Sequence, residues 1–116
     1  MNLELLKQDF SVCLLPQGSR PDVFRPFTFF AQTDGELSLV CPSRYVPDNC
    51  EKREDGWRAL RVCGTLEFSL VGILAGISST LAKQGISLFA ASTYRTDYIL
   101  IKQRDLGTAG ACRSRI

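Results

Sequence analysis

Between Gly85 and Lys102 the sequence reads GISLFAASTYRTDYILIK, and its middle gathers Ser92, Thr93, Thr96 and Asp97 between two apolar flanks. Hydroxyls beside a carboxyl are hydrogen-bonding equipment. They can rim a pocket and hold an ammonium group through charge-assisted contacts worth about 1.5–3 kcal/mol. The same residue types stabilise tight turns by bonding nearby amides, and for Thr96 and Asp97 both uses stay open at this level. Nucleophilic and metal chemistry are poorly supplied. The chain has no histidine, which removes the commonest general base and any Cys-His or Ser-His pairing. Its five cysteines, Cys13, Cys41, Cys50, Cys63 and Cys112, show no C-x-x-C spacing, so they indicate neither a zinc site nor a disulfide framework. Cys13, Cys41 and Cys63 sit in apolar runs and are expected to be small buried hydrophobes. No metal and no cofactor are expected. With no base beside any thiol, the chain is not read as an enzyme.

The elements that must carry these residues follow from periodicity. LELLK and FSVCLLP read as strands, with Gln8-Asp9 as a tight connection between them. In QGSRPDVFRP, Gly18, Pro21 and Pro26 leave no room for a helix longer than a turn. FTFFAQT and ELSLVCP flank Asp34-Gly35, a short-range hairpin signal. SRYVPDNCEKREDG is polar and reads as a junction between two halves. WRALRVCG is a strand with an apolar face in Leu60 and Val62.

Leu70, Ile73, Leu74, Ile77 and Leu81 then recur at the spacing of one helical face. Ser69 is the expected N-cap and Gly85 the expected stop. Gly76, four residues after Gly72, costs helix stability and is expected to have a packing reason. Tyr94 and Tyr98 are expected to pack. The second half therefore reads strand–helix–strand–turn–strand, and the first half repeats it with the helix shortened. The two hairpins are offset by about sixty residues. The pattern is α+β: two ferredoxin-like units, each most of a βαββαβ motif, with antiparallel sheets and helices on one face.

The totals agree with one small globular chain. At 116 residues it can bury enough surface for a marginally stable fold. The net charge of +2 is carried by the end of the chain: Lys102, Arg104, Arg113 and Arg115 against Asp105 leave residues 1–101 at −1. A basic face spread over the folded body is what nucleic acid would require, so no nucleic-acid partner is expected. No apolar run nears the roughly 20 residues of a membrane span, and the N-terminus has no signal pattern. A cytoplasmic protein without membrane attachment is expected.

The stretch FSLVGILAGISSTLAKQGISLFAASTYRTDYILIK, with FFAQTDGELSLVCP and GWRALRVCG upstream, resembles the small two-module ACT proteins, related to the ACT modules of aspartate kinases and of cytosolic arginine sensors. The resemblance covers roughly residues 3–106. It implies an N-terminal module over 1–56 and a C-terminal module over 57–116. It also implies a non-catalytic regulatory or sensor protein that binds a small effector, an amino acid, at a module interface. The implied site is the mouth of the helix, Ser69, Leu70, Val71, Gly72 and Ile73, together with Thr96 and Asp97 of the hairpin. Gly72 matches the glycine that such proteins keep there, whereas Ser69 stands where many ACT modules carry an aspartate. Physically, a helix N-terminus offers unpaired amides to a carboxylate, and Asp97 offers an acid to the ammonium group.

The resemblance also implies a second amphipathic helix after DYILIK, beginning at RDL. Instead the chain reads GTAGACRSRI, which has no helical period. A missing or degenerate last helix is expected, with 107–116 as a flexible basic tail. Part of one sheet face then lacks its cover, and dimerisation or a low melting point is expected. The alternative function is a ligand-free protein–protein interaction module using the same surfaces. Calorimetry with free amino acids separates the two.

Overall fold

The computed structural model describes residues 2–63 and 70–106, without the side chains of residues 2, 63, 70–75 and 77. The expected helix cap Ser69 and the tail 107–116 lie outside the described residues. Among the described residues six strands form: β1 (Asn2–Leu15), β2 (Phe29–Gln32), β3 (Leu37–Pro42), β4 (Lys52–Cys63), β5 (Leu88–Ser92) and β6 (Asp97–Lys102). An α-helix, α1 (Leu70–Lys83), lies between β4 and β5 in the chain. Hydrogen bonding orders the strands β2-β3-β1-β4-β6-β5, which leaves the short strands β2 and β5 at the edges. β1 pairs antiparallel with β3, β2 with β3 and β5 with β6.

The chain divides into two compact units. One comprises Gln8–Trp57, and the other joins residues up to Lys7 with those from Arg58 onward. The long strands β1 and β4 each contribute to both. β1 runs unbroken through Gln8-Asp9, where a turn was expected. Gln8 is not a turn former and no glycine or proline follows to break the strand, and Asp9 projects to solvent from a continuing strand.

In the Gln8–Trp57 unit, alternate residues of two adjacent strands point to one side. Cys13 and Leu15 of β1 meet Leu37, Leu39 and Cys41 of β3 in a buried cluster. No helix covers this cluster among the described residues. Tyr45, Val46 and Cys50 pack against it from the segment that follows β3, which opens with a 3-10 turn, Ser43–Tyr45. Beside it, on the same side of β1 by the alternation of a strand, lies a polar network. The fully buried hydroxyl of Ser11 bonds Ser43 Oγ at 2.7 Å and donates to Asp55 Oδ1 at 2.5 Å. Arg53 Nε reaches the same carboxylate oxygen at 2.7 Å.

The other unit has a matching core of Leu60 and Val62 of β4, Leu81 of α1, Ile86, and Ile99 and Ile101 of β6. Leu3, Leu88 and Leu106 pack against it. The face expected from Leu60 and Val62 is the one buried here. The helix ends as its glycine demands. Gly85 takes φ 72°, its N–H donates to Ala82 O at 3.0 Å, and the N–H of Ile86 donates back to Leu81 O at 3.0 Å. This pair of bonds is a Schellman closure. Its usual apolar contact is present too, because Leu81 and Ile86 share the core cluster. Gly76 has no packing neighbour: it is exposed, and an added Cβ would meet nothing within 4 Å. The packing reason expected for Gly76 is therefore not found among the described residues.

Candidate functional site

The two hairpins are the same device used twice. In each, a threonine opens a four-residue loop and ties it shut. Thr33 N–H donates to Glu36 O at 3.0 Å, and Thr93 N–H donates to Thr96 O at 2.8 Å. The Thr33 hydroxyl accepts from the N–H groups of Gly35 and Glu36, both at 3.1 Å. The Thr93 hydroxyl donates to Thr96 O at 3.0 Å and lies 3.3 Å from Thr96 N. The turn-stabilising work is thus done by the first threonine of each loop.

That leaves the other polar residues of the second hairpin with different partners. Thr96 Oγ1 donates to the backbone carbonyl of Val62 at 2.5 Å, joining the hairpin to the last part of β4. Ser92 and Asp97 face each other as the terminal pair of β5 and β6, and Ser92 Oγ donates to Asp97 Oδ1 at 2.5 Å. Asp97 is 2% exposed, and its second oxygen, Oδ2, is buried without a hydrogen-bond partner among the described residues. Buried polar atoms are normally satisfied, so an orphaned carboxyl oxygen is a place where a donor is wanted. The side chain lies on the Ile99 and Ile101 side of β6, by the alternation of a strand.

Of the residues expected at a site, Thr96 and Asp97 are adjacent at the start of β6, beside the end of β4. Leu70, Val71, Gly72 and Ile73 form the opening turn of α1, and nothing is described of their side chains. Ser69 lies outside the described residues. Tyr94, expected to pack, is instead 96% exposed at the loop tip. Tyr98 is half-buried on the opposite side of β6 from Asp97 and hydrogen-bonds Arg61. Arg61 also holds Glu4 Oε1 through Nε at 3.1 Å and a terminal nitrogen at 2.9 Å. The bond to Glu4, and then that to Tyr98, hold its guanidinium more firmly protonated than usual. The sequence reading missed the Val62 carbonyl as the partner of Thr96, because a backbone acceptor leaves no mark in residue type.

Among the described residues no group of three or more Asp, Glu, Cys or His side chains could hold a metal ion. No described helix is long and apolar enough to cross a membrane.

Known proteins place this arrangement. A family model for the ACT domain matches residues 52–112. A solved structure of an Agrobacterium tumefaciens protein superimposes with a TM-score of 0.88 at 26% identity, over 97% of this chain and 86% of that one. A Vibrio cholerae protein of unknown function, described as a possible transport protein, gives a TM-score of 0.69 at 19% identity, covering 95% and 84%. The ligand-free regulatory subunit of aspartate kinase from Thermus thermophilus gives 0.67 at 10% identity, covering 99% and 97%. At such identities the last two likenesses concern the fold alone. No curated protein matches the sequence. With an antiparallel sheet of the ACT type and a family match over more than half its length, the chain belongs to the ACT domain family and is related to the ACT modules of aspartate kinase.

Proposed function

We propose that this protein is a non-catalytic regulator that binds a small effector, a free amino acid, between the mouth of α1 and the start of β6. In this reading the two compact units are tandem ACT modules, corresponding to 1–56 and 57–116 along the sequence, with the N-terminal strand shared between them. The backbone amides around Ser69–Ile73 receive the effector carboxylate, and Asp97 receives its ammonium group, with Thr96 holding the hairpin against β4. The observation that carries the reading is the orphaned Oδ2 of Asp97, a buried acceptor with no donor among the described residues. The likeness to an aspartate kinase regulatory subunit supports a regulatory role. A soluble cytoplasmic homodimer is the expected form.

Isothermal calorimetry with a panel of free amino acids tests this. One of them is expected to bind with a dissociation constant near the micromolar range, and Asp97→Leu is expected to abolish that heat in a protein that still folds. Absence of heat and of any thermal shift across the whole panel would sink it.

A second reading, a ligand-free interaction module, is favoured by the edge strand β5. Phe89 is 37% exposed there, and Ala90 is exposed beside it. Sedimentation that shows association unaffected by every amino acid would support this second reading.

A further inference from the structure

Three thiols meet in the Gln8–Trp57 unit, and the effector reading leaves them unused. Cys13 and Cys41 project from adjacent strands into one core cluster, 2% and 1% exposed. Cys50, half-buried, packs against that cluster from the segment that covers it. All three are free. Cys13, Cys41 and Cys50 lie close enough for each thiol to bear on the ionisation of another, and Cys50 Sγ donates to Pro47 O at 3.0 Å. The backbone fixes this approach: Glu51 N–H donates to Leu14 O at 2.9 Å, one residue from each thiol. Two cysteines of one packed cluster, on backbones tied together one residue from each, stand within the reach a disulfide needs.

We propose that Cys13 and Cys50 are a reversible dithiol–disulfide pair, closed by a low-molecular-weight disulfide such as oxidised glutathione. Cys50, the more exposed of the two, reacts first. Its thiolate attacks one sulfur of the small disulfide, forms a mixed disulfide and expels one small thiolate. Cys13 then loses its proton to solvent and attacks the Cys50 sulfur. The Cys13–Cys50 bond forms and a second small thiolate leaves. Overall two protein S–H groups are oxidised and one external disulfide is reduced to two thiols.

The second step is the slow one. Burial, then the neighbouring thiols of Cys50 and Cys41, push the Cys13 thiol up to about 12, opposed by the Arg53 guanidinium. Cys41 is held up to about 11 by burial and by Cys50. Tyr45 also packs on the cluster, and Glu36, Lys52, Arg53 and Glu54 line the same cavity as Cys13. When Cys50 carries glutathione it no longer acts on Cys13 as a titrating thiol, and burial is left as the main brake. Closure therefore quickens as pH rises. The new bond ties the covering segment to β1, where no helix among the described residues does that work.

The test uses the full-length protein, oxidised glutathione, thiol titration and peptide mapping at neutral pH and near pH 9. The expected result is loss of two thiols per chain, a map joining the Cys13 and Cys50 peptides, and faster closure at the higher pH. Dithiothreitol restores both thiols. The thermal midpoint rises in the oxidised form, and Cys41→Ser leaves the cross-link intact. A bond that involves Cys41, Cys63 or Cys112 instead, or a Cys50–glutathione adduct that persists near pH 9, overturns the proposal. The mapping is read on the unmutated chain, so the outcome does not depend on any variant folding.

Discussion

Asp97 occupies in the second hairpin the place that Leu37 occupies in the first, sixty residues earlier, and both are buried, at 2% and 1% exposure. Each is the first residue of its inner strand and pairs with the last residue of an edge strand, Gln32 with Leu37 and Ser92 with Asp97. The match continues along the strands. Leu39 and Cys41 correspond to Ile99 and Ile101, all four in their unit's core. The 3-10 turn Ser43–Tyr45 corresponds to Gln103–Asp105. One repeat fills the position with hydrocarbon and the other fills it with an acid, so folding alone does not require the acid.

Replacing Asp97 by leucine is accordingly expected to stabilise the protein while removing its proposed ligand contact. A buried polar atom without a partner costs about 1–3 kcal/mol, and leucine is the residue the sister position already accommodates. Ser92, the partner left behind, is exposed and can turn to water. The check is the urea midpoint of Asp97→Leu against the parent, without ligand. A large loss of stability would show that the carboxyl supports the fold, and its use as a ligand group would then lose its basis.

Gly76→Ala is expected to add about 0.5–1 kcal/mol, the ordinary helix preference of alanine over glycine. The position is exposed within α1, with open space where the Cβ would stand. The Thr80 hydroxyl donates to Gly76 O at 2.9 Å, a backbone contact that alanine leaves intact. Thermal unfolding monitored by circular dichroism measures the effect. A destabilised variant would reveal an element seated on this face of the helix.

Much of this architecture was legible because it rests on local signals. The period of Leu70 to Leu81 and the glycine after it gave α1 and its stop, and Asp34-Gly35 marked the first hairpin. The sixty-residue offset was visible for the same reason. What was not legible depended on partners distant in sequence. Gln8-Asp9 resembles a turn only until β1 is seen pairing on through Phe10 to Leu15. The role of Thr96 waits on a backbone carbonyl thirty-four residues away. The covering of the helix-less core by Tyr45, Val46 and Cys50 has no periodicity to announce it. Tyr94 was assigned to packing by its aromaticity, yet a residue in the middle of a four-residue loop has nothing beneath it.

Gly85→Ala tests the helix stop. At φ 72° an alanine side chain crowds the backbone, at a cost of about 1–2 kcal/mol. An added Cβ meets no neighbour within 4 Å, so this loss reports backbone conformation and not packing. Denaturant titration is expected to show a lower midpoint with an unchanged slope. An unaffected midpoint would mean that the closure through Ala82 and Leu81 tolerates another conformation.

Alkaline pH is expected to weaken the fold through the buried thiols. Cys13 is raised from 9.0 to about 12 and Cys41 from 9.0 to about 11, in both cases first by burial. Below pH 9 both thiols stay protonated whether the chain is folded or not, and their contribution is intact. Above it the unfolded chain releases protons that the folded chain retains, so stability falls as pH rises, by about 1.4 kcal/mol per pH unit for each thiol. The loss continues to about pH 11 for Cys41 and about pH 12 for Cys13. A Cys13→Val, Cys41→Val double variant removes both groups from the cluster at similar volume. Urea unfolding under reducing conditions from pH 8 to pH 10.5 is expected to give a clearly shallower decline for the variant than for the parent. Parallel declines would mean that these thiols titrate normally in the folded protein, and the slow second step assigned to Cys13 would lose its cause.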